Sequence, residues 1–253
     1  MAFLDPIFNP VLLPLINWNP FWGIVVLSFA ISLLIVFIYK LVTNQEEMKK
    51  LKDEQKEYQK RLKGLKSNPE EMMKVQKEAM KKNMAYMKHS FKPTLITFIP
   101  IILIFGWMNA HLIYEPIYPG ETFSVTAMFE EGLTGEAELE GDEEVELISE
   151  VKQEIKEDQA TWNLKSSTGE HFLTVKVGSD EQTKKVLITK DLEYEEAISA
   201  YQHSDIEKIQ INYNKLKPAG NFSLFGWQPG WLGWYIIFSI VFSMGLRKLL
   251  KIY

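Results

Sequence analysis

FWGIVVLSFAISLLIVFIY, residues 21–39, contains no Asp, Glu, Lys or Arg across 19 positions. A helix of that length rises about 28 Å, close to the roughly 30 Å hydrocarbon core of a bilayer. Two further stretches share the property: Pro93–Tyr114, 22 residues with only His111 titratable, and Phe222–Leu246, 25 residues. The charges are sorted between them. Lys40–Lys92 holds 15 Lys+Arg against 8 Asp+Glu, net +7, whereas Glu115–Asn221 holds 10 against 24, net −14. The overall charge of −5 conceals this segregation. Basic loops stay on the cytoplasmic side, so the expected topology is three crossings of the cell (plasma) membrane, N-terminus outside and C-terminus cytoplasmic.

The expected segments follow from those boundaries. Residues 1–20 form an interfacial segment outside, 21–39 the first span, 40–92 a cytoplasmic hairpin and 93–114 the second span. Residues 115–221 form an extracellular β-domain, 222–230 a second interfacial segment, 231–246 the third span and 247–253 a cytoplasmic tail. In the first segment Pro6, Pro10 and Pro14 recur every four residues, a spacing expected to break a regular helix. Phe3, Leu4, Ile7, Phe8, Leu12, Leu13 and Trp18 keep it apolar, which suits the headgroup layer. With no basic n-region and no A-x-A-like site after the apolar run, cleavage as a signal peptide is not expected.

Within 40–92, Leu41, Met48, Gln55 and Leu62 recur every seven residues, with Leu51, Tyr58 and Leu65 at the d positions of the same frame. The pattern stops at Gly64–Asn68, after which Asn68 suits an N-cap, Pro69 the first helical position, and Glu70 and Glu71 the positive end of the dipole. The expectation is an antiparallel coiled-coil hairpin of two helices of about 24 residues each, projecting about 36 Å. Six of the ten methionines fall here, at Met48, Met72, Met73, Met80, Met84 and Met87. Two readings fit them: a coiled-coil seam, to which Met73 and Met80 are assigned, or a flexible apolar surface, with Met72, Met84 and Met87 as substrate-capture residues.

Residues 115–221 read as β. Phe123, Val125, Ala127 and Phe129 alternate, as do Phe172 through Val175 and Val177, then Val186 and Ile188, then Ile209, Ile211 and Tyr213. About 107 residues with six or so short strands fit an immunoglobulin-like β-sandwich. Glu130–Glu146, with nine acids and no base, marks exposed strands and loops. The fold class is therefore an α-helical polytopic membrane protein with three transmembrane helices, the cytoplasmic hairpin and an extracellular β-sandwich insertion.

No catalytic motif occurs, and no cofactor or metal is expected. The chain has no Cys, its four histidines are scattered, and no phosphate loop or EF-hand spacing is present. The protein is not expected to be an enzyme. The spans instead offer hydroxyls: Ser28 and Ser32 on one face of the first, Thr94 and Thr97 on one face of the second, Ser239 and Ser243 on one face of the third. Pro100 frees the carbonyl of Ile96 at a similar depth. Helix–helix packing is one reading; a shallow polar groove open to the cytoplasm is the other.

Three spans, an N-out start and a hairpin after the first span resemble the YidC/Oxa/Get insertase superfamily. More narrowly, Asn19-Pro20-Phe21-Trp22-Gly23, the run Gly106–Leu112 with Tyr114-Glu115-Pro116-Ile117, and Gly230–Tyr235 resemble the archaeal YidC-like proteins, relatives of the third subunit of the endoplasmic reticulum membrane complex. The resemblance covers about 1–118 and 222–253 and does not extend to the β-insertion. It implies a membrane protein insertase, in which Ser28, Ser32, Thr94, Thr97, Ser239 and Ser243 line the substrate groove. Some bacterial members carry an Arg in that groove, and no span here has one. The expected partners are nascent membrane-protein clients, the lipid bilayer, the ribosome through the basic hairpin, and the Sec translocon, with no sequence-specific nucleic acid. The alternative is a receptor or tether, with the β-domain as sensor and the hairpin as signalling coil.

Overall fold

The computed structural model describes residues 5–65 and 68–252. Phe3 and Leu4 of the apolar N-terminal run, Lys66 and Ser67 of the hairpin turn, and Tyr253 of the tail lie outside the described residues. The chain divides into two compact units. One comprises the described residues of Phe21–Trp107 and Leu232–Tyr253; the other comprises Asp5–Pro20 and Met108–Trp231.

The first unit is helical. Helices α2 (Pro20–Val42), α4 (Pro69–Leu112) and α5 (Trp231–Leu249) are each long and apolar enough to cross a membrane, as a polytopic membrane protein requires. An aromatic ladder joins α2 to α5: the ring of Phe21 lies 5.0 Å from Trp234, and that of Phe29 lies 5.4 Å from Phe242. Both pairs advance eight residues along each helix, so α2 and α5 run parallel. Phe105 meets Tyr235 edge-on at 4.7 Å, and Ser90 lies 3.4 Å from the Tyr39 hydroxyl, so α4 runs opposite to both.

Helix α3 (Gln45–Gly64) starts where Asn44 caps it, its side-chain oxygen accepting from the amides of Glu46 and Glu47. It pairs antiparallel with α4 through Glu54–Lys82 at 2.8 Å, Gln55–Asn83 at 3.0 Å and Glu47–His89 at 3.1 Å. Those contacts correct part of the heptad reading. They turn Val75, Lys82, Asn83 and Tyr86 toward α3, which leaves Met73 70% exposed and Met80 65% exposed at the rim of a recess shared with Gln55 and Gln59, instead of in the seam. Leu41 is also exposed and belongs to α2, not to the hairpin. No break separates hairpin from second span: α4 is one helix of 44 residues with Pro93 and Pro100 inside it. At the base of this unit Ile252 is buried with Val36, Tyr39 and Met48, and the Arg247 guanidinium stacks 5.0 Å over the Tyr39 ring.

The second unit holds α1 (Asp5–Trp18) and nine strands. The helix corrects the expectation that three prolines break residues 1–20. Pro10 and Pro14 cancel the backbone bonds to the carbonyls of Pro6 and Pro10, and those prolines lie on the exposed face. Solvent or headgroups can satisfy the freed carbonyls, while the helix is held by buried Ile16 and by the next residue, Asn17, whose side-chain oxygen accepts from the Leu192 amide at 3.0 Å.

Strands β1 (Phe123–Phe129), β3 (Val145–Leu147), β5 (Gln159–Ser166), β8 (Ile198–Ala200) and β9 (Ile206–Ile211) form one antiparallel sheet, ordered β3-β5-β1-β9-β8. The second, ordered β4-β2-β6-β7, contains β2 (Glu136–Gly141), β4 (Lys152–Glu154), β6 (Gly169–Val177) and β7 (Asp180–Ile188). Two antiparallel sheets at this place in the chain are consistent with a β-sandwich insertion. Period-2 alternation puts Val125, Ala127, Leu139, Leu164, Leu173 and Ile209 into the core around Trp162, whose indole N–H donates to the Val151 carbonyl at 2.9 Å. Strand β6 buries His171, Leu173, Val175 and Val177, so Phe172 faces outward, one residue out of the expected phase. A Cβ on Gly141 would sit 2.7 Å from Val145 Cβ, so the turn from β2 to β3 needs glycine.

Lys184 is buried on β7 and ties edge strand to edge strand across the two sheets. Its ammonium donates to the Ser199 hydroxyl of β8 at 2.8 Å and to the Glu196 carbonyl. Burial pulls its pKa below the ordinary lysine value, partly offset by Glu196 and Glu195.

Candidate functional site

The spans of the first unit are apolar by composition, so a recess among them that several hydroxyls face is informative. A cavity of about 370 Å³ lies between α2 and α5. Ser32, Ser239 and Ser243 line it, with Ile35, Ile240 and Met244 between them and Tyr235 at one end. Ser239 and Ser243 stand one turn apart and share a helix face. The parallel register of α2 and α5 brings Ser32 alongside them. The Ser239 hydroxyl donates back to the Ile236 carbonyl at 3.0 Å, which leaves its lone pairs for a second partner.

The other three hydroxyls of the expected groove are not among the residues lining this cavity. Ser28 is fully buried and donates to the Ile24 carbonyl of its own helix at 2.7 Å. Thr97 is buried and donates to the Thr94 carbonyl at 3.0 Å; Thr94 is exposed and donates to the Ser90 carbonyl at 2.8 Å. Back-bonding of this kind satisfies a hydroxyl inside an apolar helix without any neighbour. Tyr235 was missed in the sequence reading. The signal was present, because Tyr235, Ser239 and Ser243 fall at i, i+4 and i+8 on one helix face.

The substrate-capture residues divide similarly. Met84 and Met87 are exposed on α4, whereas Met72 is half-buried. Met73, Met80, Met84, Met87 and Phe91 follow one another at spacings of seven, four, three and four, making one continuous exposed apolar face. The face exists because α3 covers a different side of α4.

The β-unit contains a Ser–His–Asp arrangement that the sequence did not suggest. His171 Nε2 lies 3.1 Å from the Ser166 hydroxyl, and Nδ1 lies 3.7 Å from an Asp142 carboxylate oxygen. The roles are wrong for nucleophilic catalysis. Nε2 donates to the Ser167 carbonyl at 3.0 Å, and Ser166 donates to the Glu144 carbonyl at 2.7 Å, so the imidazole is not poised to take the hydroxyl proton. Both Ser166 and His171 are buried, so the trio ties β5 to β6 and to the turn after β2.

A family model described as "Integral membrane protein EMC3/TMCO1-like" matches residues 3–132, a range that takes in α1 to α4 and β1. No curated protein matches the chain, and no solved structure does.

Proposed function

The chain belongs to the EMC3/TMCO1-like family of integral membrane proteins, part of the YidC/Oxa1/Alb3/Get1 insertase superfamily, and from that premise we propose that it is a membrane protein insertase of the archaeal YidC-like type. The carrying observation is the cavity where three hydroxyls from two parallel spans meet in otherwise apolar helix. A polar flank crossing hydrocarbon loses its water and leaves hydrogen-bonding groups unsatisfied. Ser32, Ser239 and Ser243 replace part of that water. Between Trp231 and the first charge at Arg247 there are 16 residues, about 24 Å of helix, so the bilayer thins beside α5 and the remaining barrier falls.

The exposed methionine face, with Met84 and Met87 at its centre, receives the client's apolar segment on the cytoplasmic hairpin, which we read as a coiled coil. Partition of the client into lipid drives the step, so no nucleotide, cofactor or catalytic residue is needed. Nascent membrane proteins are the clients, the basic hairpin faces the ribosome, and the Sec translocon is a neighbour. The net charges of +7 and −14 support an orientation in the plasma membrane with the N-terminus and an immunoglobulin-like β-unit outside and the C-terminus cytoplasmic.

Orientation is tested by single cysteines in this Cys-free chain. Ser167→Cys reacts with an impermeant maleimide on intact cells and Lys63→Cys does not; equal labelling contradicts the three-span orientation. The insertase reading is tested with a photo-crosslinking residue at Ile240, which lines the cavity, or at exposed Val241 beside it. Ribosome-bound nascent chains crosslink several-fold more from position 240. Equal yields from both positions remove the cavity from the client's path.

A further inference from the structure

Residues 217–230 of the β-unit present aromatic side chains to the outside in a defined conformation. Backbone bonds from Gly220 to Lys217 at 2.8 Å and from Phe222 to Ala219 at 3.2 Å order the approach. Leu224 and Trp227 then exchange both backbone bonds, at 2.8 and 2.9 Å, around Phe225 and Gly226. With φ of +52° at Phe225 and +84° at Gly226, this is a two-residue hairpin of type I′. Its first central position ordinarily takes Asn, Asp or Gly, because a bulky side chain at positive φ is strained. Here it carries Phe225, fully exposed, flanked by exposed Phe222 and Trp227. In water this placement has a conformational cost and returns no burial.

Helix α1 shows a matching feature. The Asn17 bond to the Leu192 amide holds it to the strands, while Ile7, Val11 and Trp18 stand exposed along one stripe. Charge is confined to the edges of both segments, at Asp5 and Lys217: residues 6–39 and 222–246 contain no Asp, Glu, Lys or Arg, although Glu115–Asn221 is net −14. A protein-binding patch carries a polar and charged rim, whereas within these two segments only Asp5 and Lys217 are charged. Exposed Trp beside uncharged apolar chain is instead the composition of the headgroup layer. Chain connectivity points the same way, because Trp18 lies two residues before Pro20 and Trp227 four before Trp231, at most roughly 7 and 14 Å of chain from the starts of two spans.

We propose that the Leu224–Trp227 hairpin and the exposed stripe of α1 are a lipid-docking surface that seats the acidic β-unit on the bilayer, with Phe225 as the inserted tip. The net negative charge of the unit repels anionic headgroups, so apolar insertion supplies the attraction. This gives the interfacial segments expected from sequence a specific device.

The test uses the full chain carrying Ser223→Cys labelled with NBD, in phosphatidylcholine vesicles containing lipids nitroxide-labelled near the glycerol. Integration of each protein is first verified by flotation, and insertase activity plays no part in the readout, so the result stands apart from the proposed function. The label is quenched when Phe225 is present. Phe225→Asn lowers that quenching at least threefold while the thermal unfolding temperature of the β-unit holds or rises, because Asn suits the turn. Phe225→Gly does the same, which separates loss of the ring from any misfolding particular to Asn. An unquenched label in the parent protein overturns the proposal and leaves the hairpin as a surface for a protein partner. Quenching unchanged by both substitutions also overturns it.

Discussion

Replacing Ser32, Ser239 and Ser243 together with Ala lowers insertion of clients that carry short charged tails by roughly 30-fold in reconstituted vesicles. Each hydroxyl hydrogen bond to the moving flank contributes about 0.7 kcal/mol, so three contribute about 2 kcal/mol, and 1.36 kcal/mol is a factor of ten in rate. Alanine removes the hydroxyls and almost no volume, so the cavity survives. Clients with uncharged tails face a smaller desolvation barrier and are slowed much less. Ser28→Ala is the internal control, because its hydroxyl is spent on the Ile24 carbonyl. Equal loss for both client types, or none for either, eliminates the polar-recess mechanism and moves attention to the methionine face of α4.

Trp162→Ala unfolds the β-unit or leaves it marginal. Trp162 is fully buried at the centre of the strand core and its indole bonds to the Val151 carbonyl. Large-to-small changes of this kind cost about 3–5 kcal/mol, against a total of about 5–15 kcal/mol for an ordinary domain. Protease sensitivity between Phe123 and Ile211 and loss of the unit's thermal transition report the change. The same variant separates the two functional readings. An insertase working through α2 and α5 keeps most of its activity on clients of both tail types, whereas a receptor with the β-unit as sensor loses its input.

Strands β1, β6, β7 and β9 were legible because their inward residues are large and apolar. Strands β2, β3, β4, β5 and β8 escaped: only Ala137 and Leu139 mark the inward side of β2, whose outward side is acidic, β3, β4 and β8 have three residues each, and β5 alternates Ala160, Trp162 and Leu164 inward between polar residues. Phe172 faces outward because hydrophobicity alone does not decide burial; His171, held by hydrogen bonds to the Ser166 hydroxyl and the Ser167 carbonyl, takes the inward position instead. Helix α1 was missed because proline rules are local, while the contacts that hold it, Asn17 to Leu192 among them, span 175 residues. Of the six hydroxyls, sequence periodicity could place each pair on a helix face, but only helix register decides which faces meet.

Three apolar stretches of 19, 22 and 25 residues without Asp, Glu, Lys or Arg, separated by loops of opposite charge, marked from sequence alone a polytopic membrane protein with three candidate spans, a helical hairpin and a strand-rich insertion. Composition suffices there because exclusion of charge from hydrocarbon is a property of each residue by itself. Which residues of the hairpin face outward, which serines share a cavity and which aromatic stands at a turn tip were decided only by tertiary structure. Those are relations between distant segments: the pairing of Glu54 with Lys82 turns Met73 and Met80 away, and the parallel Phe21–Trp234 and Phe29–Phe242 register brings Ser32 to the level of Ser243, on the cavity that Ser239 also lines. A helix presents every face equally until a neighbour covers one.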